Sequence, residues 1–420
     1  MKERIITGID IGSSKISSVI ASINNDNKLQ ICGMGTSPSE GISNGKVQDL
    51  KVFSDAIHNA LSIAEKVAGF EADNLYVSIA GPHIMFKVTQ GRISLASGQG
   101  PSEIEQIHVE QVINDAVLDL KRHISNDKYE IIHCIPQYYT IDSQENILNP
   151  IGMIGYALCV KTLIILAEIA PMRNIRKALD MVGFSKVEYV FAPIASSKAV
   201  LNHDEKKLGA LMIDMGGSIT DMLMMNNGFI KFAISVAKGS HLITHDLYTQ
   251  LKTPPAFAEQ LKIEIGDCCS EEVNHETYVN IEGISGRPGS SAPLDLITEL
   301  IEARSTEILE EVYKQYLTNY QDSNVLTAGI VLTGGASMMK NIDRLCFKVF
   351  NMPVRIASPE FHHISGPVSG LASPHYSTVV GLLYFALEKE CISGHSGRKT
   401  ASVNVNGIFK SIIKLFKEFV

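Results

Sequence analysis

Nowhere does the chain approach the roughly eighteen consecutive apolar residues that a membrane-spanning helix requires, so no span is expected. Met1-Lys2-Glu3-Arg4 runs straight into a strand-like pattern, and no signal peptide is expected. The seven cysteines are scattered, only Cys268 and Cys269 are neighbours, and there is no CxxC. That argues against structural zinc and fits a reducing cytosol. Thirteen histidines show no HExxH or comparable spacing, and no Ser-His-Asp or Cys-His constellation stands out. His83, His133 and His241 read as ordinary surface or core residues. A basic surplus is missing too: the net charge of −8 argues against nucleic acid as a partner.

What is present is ordinary in bulk and specific in detail. With 420 residues, 45% hydrophobic and 20% charged, the chain is long enough for two or more domains with sizeable cores. At its centre stands Leu211-Met212-Ile213-Asp214-Met215-Gly216-Gly217-Ser218-Ile219-Thr220-Asp221-Met222-Leu223. An apolar run ends on an acid, two glycines follow, then small polar residues, then a second apolar run. With the turn signal Asn226-Asn227-Gly228 this predicts strand, tight turn, strand, hairpin turn, strand. Gly216 and Gly217 let the backbone approach a ligand with its N–H groups outward, as phosphate requires. Asp214 at the strand end can hold the hydration shell of Mg²⁺. A lone Asp-x-Gly-Gly is as often a plain turn as a phosphate loop.

Here the pattern is not alone. Ile5-Ile6-Thr7-Gly8-Ile9-Asp10-Ile11-Gly12-Ser13-Ser14-Lys15-Ile16 repeats it, with Asp10 on Asp214, Gly12 on Gly216 and Ser14 on Ser218. So wide a repeat implies two similar domains, each offering a hairpin to opposite sides of a phosphate chain. A third glycine turn, Val331-Leu332-Thr333-Gly334-Gly335-Ala336-Ser337-Met338-Met339, follows a buried strand and precedes a helix start.

These three motifs resemble those of the actin-like ATPase superfamily: residues 10–15 its first phosphate motif, 214–221 its second, 332–339 its adenosine motif. Within it, the chain is similar to the FtsA family of bacterial cell-division proteins. Thr253-Pro254-Pro255, Ile135-Pro136-Gln137-Tyr138-Tyr139, Asn149-Pro150-Ile151-Gly152-Met153 and Tyr376-Ser377-Thr378-Val379-Val380-Gly381 carry that closer likeness. The implied fold is α/β: an actin-like two-lobed ATPase fold of duplicated ribonuclease H-like domains, with a small α+β insertion and a C-terminal amphipathic helix. The implied cofactors are ATP and Mg. Asp10, Gly12, Ser13, Ser14, Lys15, Asp214, Gly216, Gly217, Ser218, Thr220, Gly239, Glu259, Lys262, Gly334, Gly335, Ala336 and Met339 would bind them. Asp10 and Asp214 would hold the metal through water. Ser218 departs from the third glycine often found there, which leaves the grip on the terminal phosphate open. Heat-shock chaperones of this superfamily carry a water-orienting glutamate where this chain has Ala192 before Pro193, so ATP binding with slow hydrolysis is expected.

The expected organisation runs from a first lobe (1–83), through an inserted α+β subdomain (84–166), back to that lobe (167–205), then to a second lobe (206–390) with an insert at about 245–320 and a return helix at 376–387. The resemblance assigns the subdomain to other division proteins and the next subunit of a filament. It assigns the second-lobe insert to the tail of the tubulin-like FtsZ, with Arg287 and Arg304 as basic candidates. The alternatives are a small-molecule kinase of the same fold, which needs a catalytic aspartate in the cleft and no lipid tail, and an actin-like scaffold of a pilus system.

Residues 391–407, with Gly394, Gly397 and Gly407, read as a flexible linker, and 408–420 as an amphipathic helix. Ile408, Phe409, Ile412, Ile413, Leu415, Phe416, Phe419 and Val420 fall within one arc of about 160°. From 391 onward, Arg398, Lys399, Lys410, Lys414 and Lys417 stand against Glu418, a net +4 that leaves −12 for the body. A basic, one-sided apolar helix suits an anionic membrane surface. Eight half-buried side chains yield roughly 6–12 kcal/mol, and ordering thirteen residues costs about the same. One helix would bind reversibly; many on a polymer would bind tightly.

Overall fold

A computed structural model describes residues 4–394 except 25, 97–99, 126, 275 and 321–325. Two sheets repeat one plan. In the first, the antiparallel meander Arg4–Ile11, Lys15–Ile23, Leu29–Pro38 continues on its inner side through the parallel strands Leu75–Ile79 and Val187–Phe191. In the second, Ala210–Met215, Thr220–Asn226 and Phe229–Val236 form the meander, and Gly329–Thr333 and Val354–Ile356 the parallel extension. Registers repeat as well: Asp10 pairs with Ser17 and Asp214 with Asp221, the same separation in each hairpin.

Alternation along the second sheet joins the lobes. Side chains on successive strand positions leave opposite faces. Ala210, Met212, Leu223, Met225 and Ala233 bury into the first lobe's core, while Leu211, Ile213, Met222, Met224 and Phe232 build a separate second core. Between the sheets lie helices Ala192–Val200 and Ser377–Gly394. They cross at backbone contact: a Cβ on Gly381 would fall 1.8 Å from the Ala195 carbonyl oxygen, so only glycine fits. Ser377 Oγ sits 2.6 Å from Thr333 Oγ1, tying the helix start to the second sheet.

The insert is a four-stranded sheet containing Ile84–Ser94, Tyr129–Ile141 and Ala157–Glu168. Helix Gln106–His123 covers it with Val109, Val112, Ile113, Ala116, Val117 and Leu120. Strand Tyr129–Ile141 runs through Pro136, because a bulge at Gln137, opposite Lys161 and Thr162 of the neighbouring strand, accommodates the proline. Ser290–Pro293 pairs with Tyr278–Ile281. One local expectation changes. The final helix runs on to Gly394, past the expected linker start at 391, with Cys391 packed on the first core. The rest of that linker and residues 408–420, including Ile408, Phe409, Ile412, Ile413, Leu415, Phe416 and Phe419, lie outside the described residues. No helix among the described residues is long and apolar enough to cross a membrane.

Candidate functional site

The two hairpin turns face each other across a cleft of about 370 Å³ between the lobes. Asp10, Gly12, Ser13, Ser14 and Lys15 line it from the first hairpin, and Asp214, Gly216 and Gly217 from the second. Glu259 and Lys262 enter from helix Pro255–Ile265, and Gly334, Gly335, Ala336 and Met339 from the third glycine turn. So fourteen of the expected site residues converge. Ser218 lies beside the cleft, hydrogen-bonded to His241.

Thr220 and Gly239 are corrected. Thr220 is fully buried and its hydroxyl donates to the Lys238 carbonyl at 2.8 Å. Strand alternation turns it inward while its neighbour Asp221 faces the cleft. Gly239 packs under the second turn, where a Cβ would meet the Gly217 and Gly216 oxygens at 2.5 and 2.7 Å; it shapes the loop without lining the cleft.

Each carboxylate is held by hydroxyls from sequence-distant elements. Ser78 donates to Asp10 at 2.7 Å. Ser196 and Thr378, from the two inter-sheet helices, donate to Asp214 at 2.7 and 3.3 Å. Ser235 donates to Asp221 and accepts from the Gly81 N–H at 3.1 Å. Burial is the main influence on all three and raises their pKa values: Asp10 to about 6, Asp214 upward, Asp221 well above the usual range. The donated hydroxyls oppose it, and the mutual repulsion of the acids adds to it for Asp10 and Asp221. Neither Asp10 nor Asp214 has an ion pair among the described residues. Lys15 is drawn down to about 8 by burial, against the pull of Asp10, and its Nζ lies 3.5 Å over the Tyr376 ring.

At the other end, Lys262 is nearly buried and donates to Glu259 at 2.7 Å, Thr244 Oγ1 at 2.9 Å and the Ser240 carbonyl at 3.3 Å. The helical i,i+3 spacing brings the acid and the amine together. Exposed Ile263 and Met338 stand nearby at the cleft margin. Gly334 takes φ of 83°, and a Cβ there would fall 2.2 Å from Asp214 Oδ1. Ala192 lines the cleft and presents no carboxylate or amide to it.

Residues 211–381 match the family described as "Cell division protein FtsA", and residues 81–166 match "SHS2 domain inserted in FTSA". The cell division protein FtsA of Escherichia coli (strain K12) is 30% identical over 423 residues, covering 99% of this chain and 98% of that protein. The chain belongs to the FtsA family. Among solved structures, a PilM–PilN type IV pilus biogenesis complex matches at TM-score 0.65 and 14% identity, covering 91% of this chain and 98% of the other. MreB5 of Spiroplasma citri bound to ADP matches at TM-score 0.54 and 13% identity, covering 94% and 99%. Both likenesses concern the fold, which is actin-like, as the duplicated sheets and glycine turns imply.

Several functional neighbours left little trace in the sequence. Ser78, Ser196, Ser235 and Thr378 carry no local pattern. Asp221 did: it is the one acid in the strand Thr220–Asn226, directly before four apolar residues. His241, expected to be ordinary, stands between the two phosphate-motif turns. Arg304, a candidate contact for a partner tail, is engaged with Asp246 at 2.6 Å and with Glu307.

Proposed function

We propose that this protein binds ATP with Mg²⁺ between its lobes, assembles with copies of itself, and tethers FtsZ filaments to the inner face of the cytoplasmic membrane at the division site. The observation that carries the nucleotide half is the facing pair of hairpins, which bring Asp10 and Asp214 to one cleft with glycine-rich backbone around them. Family membership supports the division half.

The residues suit the cofactor. Two raised carboxylates without ion pairs gain from a hydrated divalent cation, and hard oxygen donors with waters are what magnesium prefers. No cluster of three or more His, Cys, Asp or Glu able to hold an ion directly occurs among the described residues, which favours contact through water. A bound magnesium would supply charge neutralisation for the phosphates. Burial disfavours the charged form of Lys15, and an anion beside it would favour that form again. Gly12, Gly216 and Gly217 permit close backbone approach to phosphate. Glu259 and Lys262 hold the ribose and adenine edge, beside Gly335, Ala336 and Met339. The absence of a water-orienting group at Ala192 keeps hydrolysis slow.

The second-lobe insert takes the FtsZ tail, the inserted subdomain meets other division proteins and the next subunit, and residues 408–420 engage anionic lipid. The test is sedimentation with anionic vesicles and FtsZ, with and without Mg·ATP. Co-sedimentation of FtsZ that needs this protein, residues 408–420 and nucleotide is expected. FtsZ pelleting that is indifferent to residues 408–420 would refute the tether.

A further inference from the structure

The two phosphate-motif turns touch through one side chain. Ser14 and Ser218 occupy matching positions in the duplicated motif, one in each lobe. The His241 ring bridges them, with Nε2 at 2.9 Å from Ser14 Oγ and Nδ1 at 3.1 Å from Ser218 Oγ. Its backbone is fixed to the second turn: the His241 N–H donates to the Gly217 oxygen at 2.7 Å, and the Ser240 N–H to the Gly216 oxygen at 3.0 Å. Gly217 leaves the space for this contact, since a Cβ there would lie 2.5 Å from Ser14 Oγ and 2.7 Å from His241 Nε2.

A neutral imidazole has one N–H and one lone pair. Burial, with Lys262 next, disfavours the charged ring. One serine therefore donates to the ring and the other accepts from it. This bridge joins the turns that follow Asp10 and Asp214, the acids proposed to face the phosphates. Two hydroxyls and an imidazole N–H lie side by side along this seam, flanking the cleft at Ser14, and are donors of the kind a tetrahedral oxyanion takes. Without one, they satisfy each other.

Resting on the nucleotide reading above, we propose that His241 distinguishes a nucleoside triphosphate from a diphosphate. A diphosphate is one phosphoryl group shorter and leaves the Ser14–His241–Ser218 bridge closed. With a triphosphate, Ser14, Ser218 and His241 exchange their mutual hydrogen bonds for the terminal phosphate oxygens. Because Ser14 sits on the first lobe and Ser218 and His241 on the second, the third phosphate is sensed at the seam between lobes. His241 is thus a specificity-determining residue that no phosphate-motif pattern contains.

The test is calorimetric titration of the full chain with Mg·ADP and with the non-hydrolysable Mg·AMP-PNP, for wild type, H241A, H241Q and the double variant S14A/S218A. Wild type should prefer the triphosphate at least fivefold. H241A and the serine double variant should bring the two dissociation constants within twofold of each other, mostly by weakening AMP-PNP. H241Q, which retains a donor, should keep part of the preference. A preference unchanged in both H241A and S14A/S218A would overturn the proposal, as would equal weakening of both nucleotides, the signature of a purely structural histidine. If H241A does not melt cooperatively, the serine double variant decides. A wild-type protein that binds neither nucleotide would instead refute the nucleotide reading itself.

Discussion

Replacing Asp10 with asparagine should make the ligand-free protein more stable and reduce what nucleotide binding adds. Asp10 is raised from 3.8 to about 6, with burial the largest cause. Tenfold in proton affinity is worth about 1.4 kcal/mol, so the ionised carboxylate costs the free fold up to about 3 kcal/mol. Well below pH 3.8 the group is protonated in the folded and unfolded chain alike. As pH rises towards 6 the unfolded chain loses the proton first, the folded state holds more protons, and stability falls. Above about 6 the whole cost is present. Asparagine removes it and still accepts from Ser78, which donates at 2.7 Å. Calorimetric melting of the full chain at pH 4, 5.5 and 7.5 should show Asp10→Asn gaining on wild type as pH rises, by about 1–3 kcal/mol at pH 7.5. Saturating Mg·ATP should stabilise wild type more than the variant and so narrow that lead. Ligand at a hundred times its dissociation constant adds about 2.7 kcal/mol to wild type, and the variant lacks the carboxylate that would meet the ion. A variant less stable than wild type without ligand at pH 7.5, or one that gains as much from Mg·ATP, would refute the assignment of Asp10 as a carboxylate held for a cation.

Gly217→Ala should separate the hairpins, because its Cβ would meet Ser14 Oγ at 2.5 Å; a loss of about 1–3 kcal/mol in denaturant titrations, with weaker nucleotide binding by calorimetry, is expected. Lys262→Met removes the ammonium that neutralises Glu259 and bonds Thr244 and the Ser240 carbonyl. It should cost about 2–4 kcal/mol in guanidinium unfolding, below the range for a fully buried pair because Glu259 is part-exposed. Deleting residues 408–420 should abolish pelleting with anionic vesicles while leaving the melting of the lobes unchanged. Steady-state ATP turnover should stay below about 1 s⁻¹, the low end of kinase rates, and a phosphate-release assay checks it.

Much of this architecture is legible because local and global demands coincide. Asp49 caps the helix Leu50–Ala68 by accepting from the Val52 N–H, and Gly69 closes it at φ of 80°, so both ends are written in single residues. The acid-glycine turns were visible because their chemistry needs those residue types adjacent in sequence. The partners of the acids were not, because Ser78, Ser196 and Thr378 reach them across long separations, and a lone serine or threonine has many other uses. Thr220 was misplaced by treating a motif as a surface, when alternation sends every second residue away from the cleft. The strand through Pro136 was hidden because its licence, a bulge, depends on the neighbouring strand.

The most direct measurement is a crystal structure of the full chain grown with Mg²⁺ and a non-hydrolysable ATP analogue. Triphosphate density between the two hairpin turns, with a hydrated ion beside Asp10 and Asp214, is the expected result. Nucleotide bound elsewhere, or a cleft that stays empty at saturating ligand, would contradict the account.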